Sequence, residues 1–497
     1  MAWAGLCSAR WALSMAPHAR RIWVAAGPGG NGGDGLHAAM HLSGVGKDVT
    51  ITLHADQHRL HPDAQTALQR ALDAGCRVAE QPPHGGADLV IDALLGLGAS
   101  RALSSDMAAV VQAINDQACP RLSIDLPTGL DADTGQALGG GWVRAQATLS
   151  LLTLKPGLFM GHGRDAAGSI WFNPLDDSPL TEPVDPVAWT VGPVARSGSG
   201  NFRPHASHKG RFGDVVLIGG AEGMTGALRL AAHAALAAGA GRVLAVPLHP
   251  SMTLEDGARP ECMWMRPEQW PEIALEQATV VCGCGGATAV DRWLPEVLAR
   301  SARLVLDADA LNAVARQAAL QQALQSRLAR GQASVLTPHP LEAARLLGCS
   351  VQQIQADRLQ AAARISRLHA STTVLKGSGT VIATPGRLPG INITGNGALA
   401  TAGTGDVLAG WLAGRWSSTL HGSETPAAPD PPKADQGPDT DADRGTDAGW
   451  WAAPALGQAH RVACEAVRLH GRAADLHGTA QALRASDLVE RMHRLLR

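Results

Sequence analysis

The sequence predicts an α/β protein built from two parallel-sheet domains, and three observations carry that reading. Short apolar runs alternate with helix-length amphipathic stretches through both halves of the chain, the pattern of repeated strand–helix–strand units. A stretch with no clear period, 174–204, holds six prolines and separates the halves near 190–205. A chain of 497 residues also exceeds what one core usually serves, at a prior of roughly 150 residues per domain.

In the first half the strands are expected at 22–26, 49–53, 89–92, 122–125, 148–152 and 169–172. In the second they are expected at 215–219, 243–246, 279–282, 304–307, 334–337, 373–376 and 381–384. The first 33 residues contain no acid and loosely resemble a transit peptide, but WALSMAPHARR runs straight into IWVAA and reads as a surface helix. Late in the chain, 423–449 carries five prolines and seven acids against only Lys433 and Arg444. Such a segment buries too little apolar surface to offset its ordering entropy, so a disordered acidic insertion is expected before helix resumes at 456–476.

Composition narrows the function classes. Lys and Arg number 42 against 44 Asp and Glu, so no basic nucleic-acid footprint spans the molecule. No apolar run approaches the ~18 residues of a membrane span. The eight cysteines are scattered, Cys282 and Cys284 forming the one close pair, which suits free thiols in a reducing, cytoplasmic setting rather than a zinc site. The 57 glycines and 30 prolines suit loop-built ligand sites.

The chemistry concentrates where strands end. Gly27-Pro-Gly-Gly-Asn-Gly-Gly-Asp-Gly35 follows the first strand and opens a helix, satisfying GxGxxG at Gly27, Gly29 and Gly32 with Asp56 downstream. Asn31 and Asp34 exceed what a plain turn needs. Asp92 and Asp125 each close a strand, so they either point into one crevice at the sheet's carboxyl edge or cap the turns that follow. Lys155 in TLKPG either opposes them or is a solvated loop lysine. In the second half Thr337-Pro-His-Pro-Leu-Glu342 follows a strand, Leu375-Lys-Gly-Ser-Gly-Thr380 joins two strands, and Ala402-Gly-Thr-Gly-Asp406 opens an apolar helix. Glycines before a helix offer free N–H donors and a positive dipole end to a phosphoryl group. Asp406 stands there either as a general base or as a cap.

GPGGNGGDG, VIDALLGLG, SIDLPTGLDADTG and TLKPG, in that order, resemble the NAD(P)H-hydrate epimerase domain over roughly 1–175. Gly30-Asn31 stands where that family usually has two asparagines, and Thr128 where it usually has Ser. The opening MAWAGLCSARWAL is similar to the end of the family's first helical region, so part of an N-terminal helix is expected to be missing from this reading frame. HKGRFGDVVLIGG, GMTGA, LDADALN, TPHPLEAARLL and TGNGALATAGTGDVLAG resemble the ADP/ATP-dependent NAD(P)H-hydrate dehydratase of the ribokinase-like superfamily, over about 205–420 and again 456–480. The family's GPGLG loop here reads Gly283-Cys-Gly-Gly-Ala287.

The resemblance implies two three-layer domains, a Rossmann-like epimerase domain over 1–190 and a ribokinase-like dehydratase domain over 205–497. It implies hydrated NADH or NADPH and ADP as ligands, a homo-oligomer, and no nucleic-acid or membrane partner. Hydrate binding falls to Gly30, Asn31, Gly32, Gly33, Asp34, Gly96, Leu97, Gly98, Ala99, Ser100, Arg101, Ala102 and Asp125 in the first domain. In the second it falls to Ala227, Gly285, His339 and Asp406. ADP binding falls to Lys376, Gly377, Ser378, Gly379, Thr380 and Gly405, with magnesium accompanying the nucleotide. Asn31, Asp92 and Thr128 match a potassium site. Asp406 is the expected catalytic base of dehydration, and Asp125, with Lys155, the acid–base pair of epimerisation. A ribokinase-type small-molecule kinase, or a first half that only binds dinucleotide, are the rival readings.

Overall fold

Seven parallel strands build the first sheet: β1 (Arg21–Ala26), β2 (Asp48–Leu53), β3 (Arg77–Ala79), β4 (Leu89–Ala93), β5 (Arg121–Ile124), β6 (Ala147–Leu151) and β7 (Ser169–Asn173). Their order is β3-β2-β1-β4-β5-β6-β7. The structure, a computed structural model, describes residues 1–55, 60–83, 85–175, 185–192, 205–249, 251, 256–418 and 454–496. Asp56, the acidic stretch 423–449 and most of the proline-rich stretch therefore lie outside the described residues. The chain divides into two compact units, Met1–Asp185 and Pro186–Arg497.

The three layers of the first unit can be read from β1. Ile22, Val24 and Ala26 enter one core with the helices Ala2–Met15, Gly30–Gly44 and Pro62–Asp73, whereas Trp23 and Ala25 enter another with Ser105–Asn115. A strand buried on both faces is mostly apolar, which is why β1 and β4 show no alternation, with Asp92 the polar exception in β4. The helix expected near the N-terminus is present, with Ala4, Cys7, Ala9 and Ala12 buried. Strand order reverses between β1 and β4, so the loops leaving those strands diverge and open a crevice.

The glycine segment after β1 departs from expectation, because most of it is helix rather than loop. The helix begins at Gly30, so Asn31 and Asp34 lie in its first turns. Steric demand explains the glycines: a Cβ on Gly27 would lie 1.7 Å from Leu94 O, one on Gly32 2.0 Å from Gly27 O, and one on Gly35 2.4 Å from the Ala93 Cβ. They let the helix start press against the carboxyl ends of β1 and β4.

The second sheet has ten strands: β8 (Trp189–Val191), β9 (Asp214–Gly219), β10 (Arg242–Pro247), β11 (Met263–Trp264), β12 (Thr279–Cys282), β13 (Arg303–Leu306), β14 (Ala333–Leu336), β15 (Thr372–Leu375), β16 (Val381–Ala383) and β17 (Gly390–Asn392). The order is β11-β10-β9-β12-β13-β14-β15-β16-β17-β8. β9 to β15 pair in parallel, β15–β16–β17 antiparallel, and β8 parallel to β17. Residues 189–191, which fall in the stretch read as linker, are thus an outer strand of this sheet. Three residues are too few to show a period.

Val215 and Leu217 share one core with the helices Thr225–Ala237, Thr404–Ser418, Pro454–His477 and Ala485–Arg494. Leu294–Arg300 and Arg358–Leu368 meet β12 and β15–β16 and take no part in that core. Within it, Gly410 and Gly414 bring Thr404–Ser418 onto the backbone of Thr225–Ala237, since their Cβ atoms would lie 2.0 and 2.3 Å from Ala231 O and Ala235 O. Among the described residues, no helix is long and apolar enough to cross a membrane. All eight cysteines are free thiols, as expected.

Candidate functional site

Each unit carries one cluster of polar side chains at the carboxyl ends of its strands. In the first unit Asp92, the fourth residue of β4, is fully buried and holds four hydrogen bonds. Ser123 Oγ and Thr128 N donate to Oδ2 at 2.8 and 2.9 Å, and Thr128 Oγ1 and Leu94 N to Oδ1 at 2.7 and 3.3 Å. Burial raises its pKa against those donors. Leu95 joins this group to Asn31, since Leu95 N donates to Thr128 Oγ1 at 3.1 Å and Asn31 Nδ2 donates to Leu95 O at 3.0 Å. Asn31 Oδ1 is buried and accepts no hydrogen bond among the described residues.

β5 ends at Ile124, one residue earlier than expected, because Asp125 turns into the left-handed region at φ 68°. Asp125 Oδ1 accepts from Leu151 N at 3.0 Å and from Lys155 Nζ. Lys155 is 4% exposed and also donates to Leu151 O at 2.6 Å. Burial pulls its ammonium below the usual value, against the pull of Asp125. A Cβ on Gly96 would sit 3.4 Å from Asn31 Cβ and 3.8 Å from Asp125 Oδ2, so Gly96 bridges the two. Asp34 is pushed up to about 7, chiefly by burial and further by Asp125. Leu97, Gly98, Ser100, Arg101 and Ala102 are exposed. The fold thus gathers Asn31, Asp34, Asp92, Gly96, Asp125, Thr128 and Lys155, and Lys155 is no solvated loop lysine.

The second cluster lies where β9, β12, β13, β14 and β15 end. The Cys284 thiol and the Asp307 and Asp406 carboxylates have ligand atoms all within 4.8 Å of one another. Asp307 Oδ1 accepts from Lys376 Nζ and Thr337 Oγ1, both at 2.7 Å. Lys376 Nζ also stands 3.9 Å from Glu342 Oε2. Burial alone would lower the Lys376 pKa, but Asp307 and Glu342 outweigh it and hold the ammonium above its usual value. Burial raises Asp406 to about 6, with Asp307 as the second cause. It raises Glu342 to about 7.

Local sequence explains these placements. His339 caps the helix Pro340–Leu347 by accepting from Leu341 N at 3.1 Å, and Glu342 Oε2 accepts from His339 N at 2.7 Å in return. The capping box turns both side chains back toward Lys376. Gly403 takes φ 88° just before the helix, which places Asp406 in its first turn. A Cβ on Gly405 would lie 3.4 Å from Lys376 Nζ. Gly285 adopts φ 59°, where a Cβ would lie 3.0 Å from that of Ala227. Sequence reasoning gave no role to Asp307 or Glu342, although Asp307 directly follows β13, the placement that drew attention to Asp92 and Asp125. An open hollow of about 530 Å³ lined by Asn115, Cys119, Arg121 and Gln146 lies at the strands' opposite ends and meets neither cluster.

Comparison with known proteins matches residues 1–157 to a family described as YjeF-related protein N-terminus and 215–429 to one described as NAD(P)H-hydrate dehydratase. The chain is 36% identical over 407 residues to the bifunctional NAD(P)H-hydrate repair enzyme Nnr of Escherichia coli, covering 80% of this chain and 76% of that one. It is 35% identical over 428 residues to the enzyme of that name from Moorella thermoacetica, covering 80% and 78%. Among solved structures, the ADP/ATP-dependent NAD(P)H-hydrate dehydratase of Bacillus subtilis, co-crystallised with ATP and Mg2+, aligns at 27% identity. That alignment covers 59% of this chain and 92% of that one, with a TM-score of 0.43.

Proposed function

The chain belongs to the family of bifunctional NAD(P)H-hydrate repair enzymes, and from that premise we propose how its two clusters divide the work. The first unit interconverts the R and S hydrates, and the second dehydrates the S hydrate to NAD(P)H at the expense of ADP. The observation that carries the second assignment is Asp406, a carboxylate in the first turn of a helix whose Gly405 lies against the Lys376 ammonium.

Hydroxide leaves poorly and phosphate leaves well, so dehydration needs the ring hydroxyl to be phosphorylated first. Asp406 takes the hydroxyl proton as the oxygen attacks the β-phosphorus of ADP. An O–P bond forms, the α–β bridging bond breaks, and AMP leaves. Loss of phosphate together with a neighbouring ring proton then restores the dihydropyridine. Gly405 and the loop of Lys376, Gly377, Ser378, Gly379 and Thr380 hold the diphosphate, and Lys376 offsets charge developing on its oxygens. Ala227, Gly285 and His339 line the hydrate side. Magnesium enters with the nucleotide. Asp307 and Asp406 are the clustered carboxylates, Asp307 already bound to Lys376 and Thr337, and a thiol is no ligand for so hard an ion.

In the first unit Asp125 moves a proton at the oxygen of the inverting carbon, and Lys155 and the Leu151 amide hold its carboxyl in orientation. The hydrate rests on the helix start from Gly30 to Asp34, with Gly33 in its first turn, and on the rim from Gly96 to Ala102, which includes Ala99. The fit to potassium rests on Asn31 Oδ1, a buried oxygen without a partner among the described residues, in the cluster that holds the Asp92 charge. Such an ion would offset that charge and fix the helix start. A cytoplasmic location is supported by the eight free thiols. A homo-oligomer is supported by Trp171 and Phe172, both 48% exposed on the edge strand β7.

The test mixes the protein, ADP and both epimers of hydrated NADPH and follows dihydronicotinamide absorbance. Full recovery with AMP and phosphate released supports both activities. Recovery of the S fraction alone removes the epimerase. A stable phosphorylated product would establish the kinase reading instead.

A further inference from the structure

The loop proposed for the diphosphate closes on itself, Thr380 Oγ1 donating to Gly377 O at 3.0 Å, and it rests on a side chain so far given no role. Arg358 is the first residue of the helix Arg358–Leu368 and is 2% exposed. Its Nη2 donates to Leu375 O at 3.1 Å and Lys376 O at 3.2 Å, and its Nη1 to Gln355 Oε1 at 2.7 Å. Nε is buried and donates to nothing among the described residues. Gly377 has φ 144°, and a Cβ there would lie 2.9 Å from Nη2 and 3.0 Å from Nη1, so the loop lies directly on the guanidinium.

Every acceptor of Arg358 is neutral, which is an unusual state for a buried cation. Burial lowers its pKa to about 10, which leaves it charged at neutral pH. Arg327 is similarly buried and binds Leu298 O, Ser301 O and Ser334 Oγ, but those groups join parts of the scaffold remote from either cluster. Arg358 differs in being placed behind a ligand loop with one donor unspent. A charge buried without a counter-ion is costly until an anion approaches, and a diphosphate on the outer side of the loop is such an anion.

We infer that Arg358 is the positioning residue of the nucleotide site: it pins the Leu375 and Lys376 carbonyls inward, and its positive charge is answered by the diphosphate across the loop. The inference rests on the nucleotide reading given above. It makes affinity depend on ligand charge, so ADP gains more than AMP from the same guanidinium.

The experiment measures ADP and AMP binding by calorimetry to the full chain and to its Arg358→Met and Arg358→Lys variants, with thermal unfolding and epimerase activity as folding controls. The Met variant is expected to lose ADP affinity at least about tenfold and AMP affinity less than about threefold. In turnover its KM for ADP rises more than kcat falls. The Lys variant keeps the charge, serves if the Met variant does not fold, and is expected to hold the ADP-to-AMP ratio within about threefold. Equal loss of both ligands with lowered Tm, no loss of either, or a collapsed ratio in the Lys variant overturns the inference. Wild-type protein that binds no ADP overturns the nucleotide reading itself, and this inference with it.

Discussion

Lowering the pH should switch off dehydration at a point set by the surroundings of Asp406. Burial and the nearby Asp307 raise its carboxyl from 3.8 to about 6. The ionised form is the active base, so activity is full above that value and falls as pH drops through it. With a pKa of about 6 the ionised fraction is roughly 91% at pH 7 and 9% at pH 5, a fall of about tenfold. A carboxyl left at its ordinary value near 3.8 would lose less than about 10% over the same span. The assay is single-turnover recovery of NADPH from the S hydrate at saturating ADP, corrected for the enzyme-free rate at each pH. Asp307→Asn should move the acid limb downward, because a like charge leaves and the Lys376 ammonium remains. Its plateau should also fall, since Lys376 loses its partner. A rate flat from pH 5 to 7 in an enzyme that Asp406→Asn inactivates would refute the reasoning.

Three further outcomes follow from particular contacts. The Cys284 thiol donates to Asp406 and stabilises its carboxylate, so Cys284→Ala should raise the acid limb while leaving the plateau within about twofold, read in the same assay. Asp92→Asn turns an amide toward groups that now donate to a carboxylate, so chemical denaturation should show the first unit weakened by about 1–3 kcal/mol. Its epimerase rate should also stop responding to potassium. Gly410→Ala pushes a methyl into Ala231 O and should cost about 1–3 kcal/mol in the second unit, whereas Gly44→Ala meets nothing within 4 Å and should be neutral or slightly stabilising by thermal unfolding.

Much of this architecture could be read from apolar runs alone, since β1, β4, β9 and β12 are buried on both faces and mostly apolar, with Asp92 the one acid inside a run. The strands that escaped notice, β3, β8, β11 and β17, have three residues or fewer, too few to show a period, and β8 also pairs far along the chain, with β17. At the sites, acids closing strands were visible as a pattern, and Asp92 and Asp125 were found that way. Glu342 was not, because its role depends on the cap of its own helix turning it toward Lys376. Arg358 was invisible for a similar reason: nothing local marks an arginine that lies under a loop eighteen residues further on. The glycines after β1 misled in the other direction, looking like a phosphate loop when much of their purpose is steric.

The position of β8 bears on anyone wishing to produce the dehydratase unit by itself. That strand pairs with β17, and Gly390 sits so close beneath the Trp189 ring that a Cβ would lie 3.0 Å from it. Cutting the chain at the proline-rich boundary near residue 205 discards the strand and leaves β17 with a bare row of amides and carbonyls. Such an edge recruits other chains, so the shortened protein should precipitate, whereas one starting at Pro186 keeps its own cover.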